Sequence, residues 1–384
     1  MIEPNPPVQF SGERFQVLYT LSGYSNEDAE VMAQFICVED TIEFPHELVA
    51  PGEFHDLMVG RVENFEKVGD RFSVCISYAV ETTGFEIPQL LNVIYGNISF
   101  LPGIRVEKLE LSQTILNAFK GPRYGRQGIR DLLGEPSRPL ISTALKPMGL
   151  SPVQMAEMAY QCALGGIDII KDDHGLSDQE FCPFRERIPR CVEAIKKANL
   201  ETGYRSLYFP VINGKMEEFW DKAHFARENG ADGVMLMPAF CGIDTARRFA
   251  EDDDLALPVI FHSGFYGTYR RNPSVGIAPY VLNGQLPRLI GADITIFPHY
   301  AGRFAPPEAE CLQIVDATQS PMGNLKPVLP SPAGGVKPEF VKDMAAFYGT
   351  DLLCLAASNL HRMGPDLVEN SRVFRSQAEK AIKQ

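Results

Sequence analysis

The stretch "GGIDIIKDDHGLSD", residues 165–178, sets four ionisable side chains in a row, Lys171, Asp172, Asp173 and His174, at the end of an apolar run broken only by Asp168. Such a run reads as a buried strand. Side chains alternate along it, so Lys171 and Asp173 share one face and Asp172 takes the other. A carboxylate at a strand end suits Mg2+, which takes one or two carboxylates and fills its octahedron with water and substrate oxygen. An ammonium beside that ion repels it. Either Lys171 pairs with the aspartates and no metal binds, or CO2 converts its amine to a carbamate and makes it a second oxygen ligand.

Other apolar segments end in similar groups. Lys146 in "STALKPMG" is held extended by Pro147 and is a candidate proton carrier or a plain phosphate clamp. In "SPAGGVKP", Gly334 and Gly335 stand between a strand and a helix, where bare backbone N–H groups and a helix N-terminus can hold phosphate. Asn213, His262, His299 and Ser358 close further segments. Each of these taken singly is as readily a structural group satisfied by its own hydrogen bonds.

The elements that carry these groups repeat. "PLISTALKP", "IDIIKD", "LYFPVI", "GVMLMPAF", "PVIFHSG", "DITIFP", "PVLPSPAG" and "LLCLAAS" read as buried parallel strands. Helical spacing is expected over 152–164, 184–198, 216–228, 245–252, 306–317, 338–348 and 367–383, and only weakly over 278–290. Eight alternating units predict an α/β fold with a (β/α)8 barrel over residues 136–384, whose active site lies at the C-terminal ends of the strands. Residues 1–135 read as an α+β domain of ferredoxin-like type. In it "RFQVLYTLSG", "RFSVCISYAV" and "NVIYGNISFL" are expected as strands and 25–37 as a helix. "NAFKGPRYGRQG" reads as the connection. A doubly wound sheet competes, but no GxGxxG opens a helix after a strand.

Composition narrows the class. The chain has 384 residues, 45% apolar and 22% charged, and a net charge of −13, which argues against a nucleic-acid backbone as partner. No apolar run approaches the ~20 residues of a membrane span. "MIEPNPPVQFSGERF" lacks the basic and apolar regions of a secretory signal, so a cytoplasmic location is expected. Eight dispersed cysteines without a CxxC favour free thiols over a disulfide or zinc framework.

"LISTALKPMGLS" followed by "GGIDIIKDDHGLSDQEFCPFRERI" resembles the large subunit of ribulose bisphosphate carboxylase, RuBisCO, with its KPK and GGxDxxKDDE segments. "IYGNISFLPGIRVEKLEL" and "FKGPRYGRQGIRDLLG" are similar to its interdomain link, and "SPAGGVKPEFV" to its phosphate loop. The resemblance implies that Lys171 is the carbamylated lysine, that Asp173 ligates Mg2+, and that Lys146 is the base or proton relay. It also implies that Gly334 and Gly335 hold a phosphate and that His262 and His299 line the cleft. Asn97 and Glu39 are implied to reach it from the partner subunit of a homodimer with shared sites.

Departures from the carboxylase pattern bear on function. His174 replaces the third metal ligand, a glutamate; an imidazole is less suited to Mg2+. Ser263 replaces the arginine of the distal phosphate clamp, and "PHYAGRFAPPEAE" carries no loop lysine. Met148 replaces the second lysine of the KPK segment, and Ala356, Ala357 and Ser358 a glycine-rich turn. Arg303 is a candidate substitute cation that reads a carboxylate or second anion. The pattern resembles the RuBisCO-like proteins, and implies Mg-dependent enolisation or isomerisation of a phosphorylated ketose of the methylthioribulose-phosphate type, without CO2 fixation. Alternatives are a decarboxylase or transcarboxylase on 3-oxo-isoapionate phosphate, a true ribulose bisphosphate carboxylase, and a non-catalytic paralogue.

Overall fold

The computed structural model describes residues 10–50 and 52–382; the first nine residues of the segment that lacks the features of a secretory signal, and residue 383 of the last expected helix, lie outside them. In chain order the strands are β1 (Arg14–Ser22), β2 (Arg61–Val68), β3 (Arg71–Ala79), β4 (Ile104–Glu110), β5 (Leu140–Leu145), β6 (Ile169–Asp172), β7 (Leu207–Phe209), β8 (Val234–Leu236), β9 (Val259–His262), β10 (Gly276–Ile277), β11 (Ile294–Pro298), β12 (Leu329–Ala333) and β13 (Leu353–Leu355). Two compact units hold them, one built from residues up to 119 with 266–286 and 321–325, the other from 120–265, 287–320 and the remainder.

The first unit is α+β. Its sheet runs β10-β4-β1-β3-β2, antiparallel except for β10 on β4. β1 alternates strictly, burying Phe15, Val17, Tyr19 and Leu21, as a sheet with one face on a core requires. The helix Asn26–Glu39 starts where the Ser25 hydroxyl accepts the Asp28 N–H and buries Ala29, Ala33, Ile36 and Cys37, one stripe at helical spacing. The strand expected over "NVIYGNISFL" is corrected: a helix, Ile87–Tyr95, and a 3-10 turn, Asn97–Phe100, occupy it. Pro88 opens that helix, and Ile87, Leu90, Val93 and Ile94 fall on one buried face, so packing overrides the β-branched residues' preference.

The second unit is the (β/α)8 barrel. One parallel ladder runs β13-β5-β6-β7 and another β12-β11-β9-β8. Between β7 and β8 the ladders meet in a parallel bridge at Val211 and Met235. Between β12 and β13, the Ser331 hydroxyl donates to the Leu353 carbonyl at 2.9 Å. Every residue of β5 and β6 is buried. Asp168, the one break in the apolar run, accepts from Arg138 through both oxygens, at 2.8 and 2.6 Å, and from the Ile141 N–H at 2.8 Å. It thereby ties β5 to β6 at their N-terminal ends. The helix Gly125–Leu133, read from sequence as part of the N-terminal domain, packs in this unit, where Arg130 donates to Asp351 at 2.9 Å and to the Thr350 carbonyl at 2.8 Å. Over 278–290, the weakly helical interval, the chain is a π-helical turn, Val281–Gln285, and a short α-turn, Leu286–Leu289.

Candidate active site

In the register of β5 with β6, Leu145 stands opposite Asp172, which brings the next residues, Lys146 and Asp173, side by side beyond the strand ends. The Lys146 ammonium forms an ion pair with Asp173 Oδ2, and Asp173 Oδ1 accepts the Gly175 N–H at 3.0 Å. Burial pushes the Asp173 carboxyl up, but Lys146 and the Gly175 N–H outweigh it and hold it below its ordinary value. Lys171 is buried, and its Nζ donates to the Asp172 carbonyl at 3.0 Å rather than to a carboxylate. Burial lowers its pKa to about 8.

Asp172, on the opposite face, is structural. Its Oδ2 accepts from Arg187 Nε at 3.1 Å and the Val211 N–H at 3.2 Å, and its Oδ1 from the Tyr208 hydroxyl at 2.7 Å. Arg187 also donates to the carbonyls of Cys182 at 2.8 Å and Ser177 at 3.2 Å. One buried guanidinium therefore fixes both the strand end and the loop that follows. Nothing in the spacing of Arg187, fifteen residues on, marks it as this anchor.

His174 stacks on His262 with ring centroids 4.3 Å apart and planes 14° from parallel. Burial depresses both imidazoles, and Lys171 disfavours protonation of each. His262 Nδ1 accepts the Gly264 N–H at 3.0 Å, so in the neutral ring Nε2 carries the proton. His299 is buried, its Nδ1 3.0 Å from the Tyr348 hydroxyl, and burial lowers its pKa to about 4. Tyr348 closes a helix and gave no sequence signal of this role.

Gly334 and Gly335 lie at φ of 99° and 137°, conformations that only glycine adopts freely. The Gly334 carbonyl accepts the Arg303 N–H at 2.7 Å, and the carbonyls of Gly335 and Val336 accept from Asn359 Nδ2 at 2.8 and 3.0 Å. Asn359, which the sequence did not single out, belongs to the helix Ser358–Arg362 and pins this loop. The Arg303 guanidinium lies 4.7 Å over the Phe304 ring and is one of the cations that disfavour protonation of His174. Within the first unit, Asn97 Nδ2 donates to Glu39 and Glu43, both at 2.9 Å.

Lys146, Lys171, Asp173, His174 and His262 thus gather at the ends of β5, β6 and β9. Among the described residues no three His, Cys, Asp or Glu side chains form a ready ligand set for a metal ion. With Lys171 as an amine, Asp173 is the only anionic donor of the cluster. The residues fit Mg2+ once Lys171 is a carbamate, and a buried amine with its pKa drawn down to about 8 loses its proton, and so gains the lone pair that attacks CO2, at lower pH than an ordinary lysine.

Comparison with known proteins bears on this geometry. A family model described as "Ribulose bisphosphate carboxylase large chain, catalytic domain" matches residues 125–298. The chain is 39% identical to ribulose bisphosphate carboxylase-like protein 1 of Rhodopseudomonas palustris over 94% of its own length and 96% of the relative's. It is 33% identical to the 5-methylthioribulose-1-phosphate isomerase of Rhodospirillum rubrum over 90% and 91%. The crystal structure of a Rubisco-like protein from Rhodopseudomonas palustris superposes with a TM-score of 0.87 at 36% identity, covering 97% of this chain and 99% of that one.

Proposed function

The chain belongs to the RuBisCO large-chain family as a RuBisCO-like protein, and from that premise we propose that it enolises and isomerises a phosphorylated ketose of the methylthioribulose-phosphate type and does not fix CO2. The observation that carries this reading is the Lys146–Asp173 ion pair beside buried Lys171, a proton-transfer group set against a metal-ligand candidate. The loop after β11, residues 299–307, has Arg303 as its one cation and no lysine.

In this reading the glycine pair at 334 and 335 holds the phosphate through backbone N–H groups. Lys146 carries the proton from the hydroxyl-bearing carbon next to the carbonyl to the former carbonyl carbon, while the hydroxyl hydrogen passes to the former carbonyl oxygen, so that the ketose is isomerised with no atom gained or lost. His262, protonated at Nε2, donates to a substrate oxygen, and His299, Arg303 and Ser358 line the remainder of the cleft. Carbamylated Lys171, Asp173 and His174 would hold Mg2+. When bound, the ion stabilises negative charge that develops on substrate oxygens. Asn97 and Glu39 are assigned to the partner's site, in a cytoplasmic homodimer. No helix among the described residues is long and apolar enough to cross a membrane.

The test is exchange of solvent deuterium into 5-methylthioribulose 1-phosphate, followed by proton NMR. Wild type is expected to exchange and Lys146→Ala to lose about 100-fold or more. Absence of exchange in wild type supplied with Mg2+ and CO2 refutes the proposal. Release of CO2 from a 3-oxo sugar acid phosphate, with Arg303 reading the carboxylate, would point to the lyase instead.

A further inference from the structure

In the barrel's ladder β5 lies between β13 and β6, so Lys146, the residue that follows β5, has a neighbour on each side. On the β6 side it pairs with Asp173. On the other side β13 leaves the ladder at the level of Ser142: Leu355 stands opposite Ser142, and the Ala356 N–H donates to the Ser142 carbonyl at 2.9 Å. The helix Ser358–Arg362 follows and carries His361. Its backbone is fixed, because Asn359 is bound to the glycine loop and Asn370 Nδ2 donates to the carbonyls of Leu360 and Gly364, both at 2.9 Å.

The His361 ring is half-buried, yet its Nε2 is closed to water and makes no hydrogen bond among the described residues. Buried polar atoms are ordinarily paired. Burial, and then Lys146, disfavours protonation of the ring, so one ring nitrogen keeps a lone pair. Lys146 is thus close enough to act on His361 while its own hydrogens are spent on Asp173. Asp173, in turn, is claimed twice, as the partner of Lys146 in this structure and as a metal ligand in the proposed function. One carboxylate cannot hold an ammonium and a divalent cation against each other, since the two cations repel. Lys146 then needs a second acceptor. Its flexible stem, with the side chain 28% exposed, leaves it free to turn.

We infer that Lys146 has two seats, Asp173 on one side and His361 Nε2 on the other, and that His361 is the positioning residue that receives the lysine when Asp173 turns to the metal. The Lys146 Nζ–H donates to the Nε2 lone pair, which keeps the amine at the barrel rim beside the substrate. The inference rests on the metal role that the proposed function gives Asp173, and adds a residue which that reading leaves unused.

The full-length protein is labelled with 15N-histidine and read by NMR, the His361 ring being assigned by its loss in His361→Phe. In metal-free wild type Nε2 is expected as an unprotonated nitrogen without a hydrogen bond. Asp173→Ala removes the first seat with no metal present. It should move that resonance upfield, the direction for a lone pair that gains a donor, and Asp173→Ala/Lys146→Met should return it. An Nε2 that carries a proton in wild type, that stays put in Asp173→Ala, or that moves equally in the double variant overturns the inference. Calorimetric titration with Mg2+ in bicarbonate tests it from the other side. His361→Phe should bind Mg2+ about 10-fold more weakly than wild type, for the loss of one hydrogen bond to a charged group. His361→Gln, whose amide oxygen stands in for Nε2, should recover most of that, and on a Lys146→Met background the loss should vanish. Unchanged affinity in His361→Phe, or a loss that persists without Lys146, also overturns the inference. Absence of Mg2+ binding in wild type refutes the metal role of Asp173, and the NMR of Asp173→Ala then decides the pairing of Lys146 with His361 on its own.

Discussion

Replacing Arg187 with methionine tests whether the site is held from behind. Arg187 and Asp172 are both fully buried, and the guanidinium satisfies one carboxylate oxygen and two loop carbonyls. Methionine keeps much of the side-chain volume. It leaves Asp172 with the Tyr208 hydroxyl and the Val211 N–H as donors, for a buried charge that had an ionic partner. Breaking such a pair from one side costs about 3–5 kcal/mol, at least a 100-fold drop in the folded-to-unfolded ratio. Urea unfolding at fixed protein concentration measures it. Arg187→Lys should recover little, because a point charge cannot reach three acceptors as a planar fork does. In the cycle with Asp172→Asn, the double variant should be less destabilised than the sum of the singles by about 2 kcal/mol. A cost below about 1 kcal/mol for Arg187→Met, or singles that add within about 0.5 kcal/mol, refutes the anchoring role.

Three further expectations concern the site and the first unit. With 13C-labelled bicarbonate, wild type should give a carbamate resonance that Lys171→Met lacks, and Asp173→Ala should keep the resonance yet lose most of its Mg2+ affinity. Gly335→Ala should weaken phosphate binding at least about 10-fold, because alanine is strained at φ 137°; isothermal titration with phosphate reads it. Asp40 is buried with neither oxygen hydrogen-bonded, and burial together with Glu39 raises its pKa to about 8. Its folded state therefore holds the proton that the unfolded state has lost, so stability is full below pH ~4 and is lost as the pH rises to about 8. Asp40→Asn should flatten that slope and stabilise the protein above pH 8 by up to about 5 kcal/mol, measured as urea midpoints from pH 4 to 9.

The barrel was legible because its signal is local. Buried parallel strands give short apolar runs, and Ser151, Pro152 and Gln154 announce the helix Pro152–Leu164 with a capping box. Strand ends also mark the rim, so Lys146, Lys171 and Asp173 are legible in the sequence as rim residues. "NVIYGNISFL" misled because its apolar residues satisfy both periods over so short a span, and Pro88, just upstream, was the cue that decides for a helix. The pairing of Lys146 with Asp173 rather than Lys171 was not legible, since it depends on the register of two strands. His174 against His262 is likewise a contact made across the barrel's strand order, and Arg187 under Asp172 depends on how the loop after β6 folds back on its own strand.

β10 contributes two residues, Gly276 and Ile277, to the edge of the first unit's sheet, beside Arg105 and Val106 of β4. Gln285 then brackets Leu109, accepting its N–H at 2.9 Å and donating to its carbonyl at 2.7 Å. These partners are separated by about 170 residues of chain, nearly all of it barrel. During synthesis β4 leaves the ribosome long before its edge can be covered. The N-terminal sheet must wait, with an open strand, until more than half of the barrel has been made. Loop closure of that length is slow, so the late segment 266–286 acts as a latch that makes completion of the first unit conditional on the second, and a chain truncated before it would carry a sticky edge rather than a finished domain.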